Sequence, residues 1–79
     1  MAKRNSRIAE ATLENVRPIS GTEIRIIRFR AKLSQAAFAG HFNRKRGFIS
    51  QLERGIRQPR GSALVLLNLI RRKGFEAIL

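Results

Sequence analysis

The run Leu33-Ser34-Gln35-Ala36-Ala37-Phe38-Ala39-Gly40-His41-Phe42-Asn43-Arg44-Lys45-Arg46-Gly47-Phe48-Ile49-Ser50-Gln51-Leu52-Glu53-Arg54-Gly55 decides how the whole chain is read. Ser34 is a good N-cap, because its hydroxyl can accept from a backbone N–H of the following turn, and it opens a short helix over Gln35 to His41. The inward face of that helix is Phe38, Ala39 and Phe42. Asn43 breaks it. Ile49, Leu52 and Ile56 recur at i, i+3 and i+7 and place a second helix from about Lys45 to Arg54. Gly55 is its natural stop, and Pro59 marks the loop beyond.

Two short helices joined by a tight turn, with a small residue in the first and paired aliphatics in the second, are what a helix-turn-helix requires. Counted from Gln35, the fifth position is Ala39, small enough for the second helix to cross closely, and the ninth is Asn43, the best substitute for glycine where φ is positive. Ile49 and Leu52 hold the fifteenth and eighteenth positions, the buried pair of the reading helix. At about 100° per residue, Ile49, Leu52 and Glu53 share one face, leaving Gly47, Ser50, Gln51 and Arg54 opposite, flanked by Arg46 and Phe48.

That outer face suits DNA. Arg46 can reach guanine O6/N7, Gln51 can bond adenine N6/N7, and Ser50 is an adaptable donor and acceptor. Phe48 can pack on a thymine methyl, or belongs to the core if the helix is rotated. Gly47 has no side chain to read with and lets the backbone approach a phosphate. Gln35 is placed for a phosphate at the amino end of its helix, against the plainer reading of a solvent-exposed glutamine. Arg44, Lys45, Arg54 and Arg60 are candidate backbone contacts, with a merely solvated basic surface as the alternative for Arg44-Lys45-Arg46. His41 is assigned no role.

Outward from this segment, Ser20 and Glu23 form a capping box that starts a helix from about Gly21 to Ala31. Residues 5 to 16 carry Ala9, Leu13 and Val16 on one face, but Arg17-Pro18 ends any helix there, so residues 1–19 are read as an arm, helical or disordered. On the other side, a long helix begins near Gly61 or Ser62, runs to Lys73 with Leu64, Leu67 and Ile70 as its stripe, and stops at Gly74. Phe75 to Leu79 is a short apolar tail. With no repeat, low-complexity tract or alternating strand pattern, the expected fold is all-α. It is a small bundle of about five short helices around a central helix-turn-helix, with residues 20–79 as the domain.

A length of 79 residues leads one to expect one small domain plus at most a short arm, and 17 Lys and Arg against 5 acids give a net charge of +12. Residues 43 to 60 hold +5 of this, more than any other segment, so the charge sits on the turn and short helix instead of along one amphipathic face as a membrane-surface peptide would have it. The absence of cysteine excludes a disulfide framework and Cys-ligated zinc, the single histidine cannot build a metal site without partners, and no cofactor is expected. No Ser/His/Asp set, carboxylate pair or glycine-rich phosphate loop suggests an enzyme. The longest apolar run, Ala63 to Leu67, falls far short of the ~20 residues a bilayer span needs, and a cytoplasmic location is expected.

Leu33-Ser34-Gln35-Ala36-Ala37-Phe38-Ala39 and Ser50-Gln51-Leu52-Glu53-Arg54-Gly55, followed by Pro59, resemble the phage Cro/repressor (XRE) family of helix-turn-helix proteins. The run from Leu64 to Gly74 is similar to the branch holding HigA-type antitoxins and NadS-type regulators, and the resemblance spans roughly Thr22 to Gly74. It implies that Arg28 pairs with Glu53, a partly buried ion pair bracing the reading helix. This chain departs from the family in having Arg44-Lys45 where Val-Ser or Val-Thr is usual, which removes a cap and adds two phosphate-seeking charges.

The implied function is a sequence-specific DNA-binding repressor, the antitoxin and autorepressor of a type II pair, with a small ribonuclease toxin as partner. A stand-alone XRE-type regulator and, from another class, a basic RNA-binding protein are the alternatives, although the chain is short of exposed aromatics for stacking on RNA bases. Val65 and Leu69 lie off the stripe of the last helix and, with Phe75, Ile78 and Leu79, make a candidate homodimer interface, against the alternative that they pack within one chain.

Overall fold

The computed structural model describes residues 16–79, and the expected helix over residues 5 to 16 lies almost wholly outside them. The described part is all-helical: α1 (Gly21–Arg30), α2 (Gln35–Gly40), α3 (Arg46–Glu53) and α4 (Gly61–Lys73), closed by a 3-10 turn at Phe75–Ile78. No helix among these residues is long and apolar enough to cross a membrane.

The helix starts follow local chemistry. Ser20 Oγ accepts from the backbone N–H of Glu23 while the Glu23 carboxylate accepts from the N–H of Ser20, so the capping box is complete. Ser34 caps α2 through the N–H of Ala37. The first three helices end on one device. Lys32 (φ 60°), Asn43 (φ 57°) and Gly55 (φ 77°) are all left-handed. Each is followed by a residue whose N–H bonds back to the last turn: Leu33 to Arg28 O, Arg44 to Ala39 O, Ile56 to Gln51 O. These are Schellman closures, which satisfy carbonyls the helix itself leaves unpaired. Asn43 thus has the positive φ that its place in the turn calls for, whereas Lys32 adopts it without asparagine's tolerance.

One core joins the helices. Ile19, Ile24, Ile27, Phe38, Ala39, Ile49, Leu52, Leu67 and Ile70 are buried together, with Leu33, Phe42, Phe48, Leu64, Phe75 and Ile78 packed against them. Ile56 departs from the sequence expectation, being 62% exposed. The helix that would have carried it inward ends at Glu53, and the left-handed turn at Gly55 redirects the chain before the i+7 position is reached. Asn68, in contrast, is buried at 2%. Its amide accepts from the Arg17 N–H and donates to the Arg17 and Leu64 carbonyls, tying the segment that enters α1 onto α4.

The tail folds back on its own chain. The Phe75 ring lies 6.2 Å from that of Phe38 and 4.8 Å, edge-on, from His41. Phe75 and Ile78 therefore cover the chain's own core edge, the within-chain alternative, and only Leu79 of the tail's large apolar residues remains exposed. Val65 and Leu69 are half-buried.

Candidate nucleic-acid interface

The inner face of α3 is closed. Ile49 and Leu52 are 0% and 1% exposed, and α2 packs across them through Phe38 and Ala39, both fully buried. At the carboxyl end the approach is closer still: a Cβ on Gly21 would lie 2.3 Å from the Glu53 carbonyl oxygen and 2.6 Å from that of Leu52. Only glycine permits this contact, so the first turn of α1 seats directly on the last carbonyls of α3.

Glu53 sits at this junction with its side chain almost fully buried. Arg28 grips it in a bidentate fork, Nε to Oε2 and Nη2 to Oε1, while its Nη1 donates to the Leu33 carbonyl. Arg25 stands 3.6 Å away, and Gln35 Nε2 donates to Oε1 at 3.1 Å. Burial by itself would push the Glu53 carboxyl up, but the hydrogen bonds from Arg28 and Gln35 and the charges of Arg28 and Arg25 outweigh it and hold the group below the usual glutamate range. Gln35 also accepts from Arg46 Nη1 at 3.1 Å. A single chain of contacts therefore runs from α1 through Glu53 and Gln35 to Arg46, which stands at the mouth of the outer face.

That outer face is open. Arg46, Gly47, Gln51 and Arg54 are exposed and Ser50 is half-exposed. A Cβ at Gly47 would meet nothing within 4 Å. Lys45 occupies the N-cap position with extended backbone but no side-chain bond, so the amino end of α3 has no internal cap. Phe48 is half-buried against the core, with the Arg44 guanidinium 4.4 Å and that of Arg57 5.4 Å from its ring centroid. Arg60 is exposed at the start of α4 and lines, with Arg44, Phe48, Ile56, Arg57 and Gln58, a hollow of about 370 Å³.

The structure thus gathers Gln35, Arg44, Lys45, Arg46, Gly47, Phe48, Ser50, Gln51 and Arg54 around one helix, with Arg60 across the hollow. Arg57, which the sequence reading did not single out, belongs with them; its only signal there was membership of the most basic segment. No group of three or more His, Asp or Glu side chains that could hold a metal ion is gathered among the described residues.

Comparison of the chain with models of known protein families, with curated proteins and with solved structures finds no match. The functional reading rests on the residues and their arrangement.

Proposed function

We propose that the chain is a sequence-specific DNA-binding repressor that lays α3 in the major groove. The observation that carries this reading is the division of α3 between a locked inner face and an exposed outer one, where Arg46, Ser50, Gln51 and Arg54 stand together and the helix's one acid, Glu53, is turned inward. A buried, braced helix can hold its polar side chains in register with base edges, and the surrounding arginines supply the sequence-independent attraction to phosphates.

A single such unit reads only a few base pairs, so the proposal includes a homodimer with its reading helices one DNA turn apart, about 34 Å. Within it, the role of antitoxin and autorepressor rests on the family resemblance. A small basic ribonuclease-like reading frame beside this one separates it from a stand-alone regulator.

Sequencing of duplex fragments selected by the purified chain tests the reading. The expected outcome is a near-palindromic site with half-sites one helical turn apart. Fragments with no common sequence, or a clear preference for RNA, would overturn it.

A further inference from the structure

The hollow beside α3 holds three arginines and no acid. Its lining is Arg44, Phe48, Ile56, Arg57, Gln58 and Arg60. The three glutamates of the described residues are placed elsewhere: Glu23 pairs with Arg17, Glu53 with Arg28, and Glu76 lines a different cavity, with Arg30 and Arg71. Like charges gathered without a counter-charge raise the local potential and make the hollow a seat for an anion.

The Phe48 ring explains how the cluster is held. It is anchored against the core, and two guanidiniums lie over it, at 4.4 Å and 5.4 Å from the centroid. The negative face of a ring attracts guanidinium groups, offsets part of their mutual repulsion, and restricts the rotamers of side chains that would otherwise spread into water. A ring so covered is poorly available to a thymine methyl.

We propose that Arg44, Phe48 and Arg57, together with Arg60, form a preorganised clip for a phosphate of the DNA backbone, in which Phe48 is a positioning residue and not a reader of bases. The clip deepens the DNA-binding function proposed above and rests on it for the identity of the ligand. Guanidinium forks match the paired oxygens of a phosphodiester, and arginines already ordered on a ring lose less freedom when they bind.

The test uses the full chain and four variants, Phe48→Leu, Phe48→Tyr, Arg57→Ala and the double variant Phe48→Leu/Arg57→Ala, each checked for wild-type helicity. Phe48→Leu keeps apolar bulk but removes the π face; it should bind random and preferred duplexes about fivefold more weakly alike, with the salt slope smaller in magnitude by about 1. Phe48→Tyr should restore both. Arg57→Ala should reproduce the slope change, and adding Phe48→Leu to it should cost less than Phe48→Leu does alone, as expected of residues acting as a unit.

A second arm needs no DNA. Inorganic phosphate titrated into the wild-type chain should move the Nε–H NMR signals of Arg44 and Arg57 together, and less so in Phe48→Leu. If Phe48→Leu weakens only the preferred sequence, the ring reads a base and the proposal falls. It falls equally if the wild-type chain binds DNA yet shows neither the phosphate response nor a loss in Arg57→Ala, a result that stands even if Phe48→Leu does not fold. A phosphate response without any duplex binding would instead keep the clip and remove the DNA reading.

Discussion

The two ends of α3 differ in almost every respect. At the carboxyl end Gly21 touches its last carbonyls, Glu53 is gripped by Arg28 and reached by Gln35, and Gly55 closes the helix with a left-handed turn. At the amino end Lys45 offers no side-chain cap, Gly47 faces open space, and Arg44, Lys45 and Arg46 are all exposed. A helix fixed firmly at one end can leave the other without a side-chain cap, its basic side chains exposed to solvent. The contrast teaches that tertiary contacts fix α3 at its carboxyl end and leave its amino end open to solvent.

The harshest way to break this division is Glu53→Ala, which strands a largely buried guanidinium; it should destabilise the fold by about 3 kcal/mol in a denaturant melt. The same group contributes to the acid limb. Its carboxyl is lowered in the folded state, so its stabilisation is fully present above the unfolded glutamate value, about 4.3, and is lost as pH falls through the lower folded value. Melts between pH 3 and pH 7 should show that loss in the wild type and a flatter acid limb in Glu53→Gln.

Next in size, Gly21→Ala should cost about 1 to 3 kcal/mol, because the new methyl meets backbone that cannot swing aside. An unchanged melting temperature would mean that α1 does not seat on α3.

On the exposed face of α3 the effects should appear in binding. Gln51→Ala should cost ~1 to 3 kcal/mol chiefly on the selected sequence, whereas Arg44→Ala should weaken all sequences about equally. Titrations of both variants against selected and random duplexes compare these directly, and equal effects on both DNAs from both changes would deny α3 a reading role.

The smallest change is the most pointed. Lys45 already has the extended backbone of an N-cap, so Lys45→Ser should stabilise the helix by up to about 1 kcal/mol while weakening DNA binding. A gain in thermal stability with undiminished affinity would show that the missing cap serves no ligand.

Much of this organisation is legible in the residues because it is local. Ser20 with Glu23, Ser34 before Gln35, and Gly55 and Gly74 after their helices act across three or four positions, within reach of a reading made along the chain. The buried faces of α2 and α3 also follow from periodicity alone, as Phe38, Ala39, Ile49 and Leu52 show. Ile56 shows the limit of that argument, since a spacing that fits a helix carries no weight once the helix has ended.

What the sequence determined by itself, then, is where helices start, where they stop and which side of each is apolar, because caps, left-handed turns and helical periodicity are set by neighbours in the chain. Tertiary structure alone decided what those helices do to one another. Asn68 bonds to the Arg17 backbone across 51 positions, Gly21 meets the end of α3, Arg57 comes to lie over Phe48, and the tail turns back onto Phe38 and His41. Such contacts depend on the angle at which each helix leaves its turn, and that angle is settled only when all the apolar faces are buried at once.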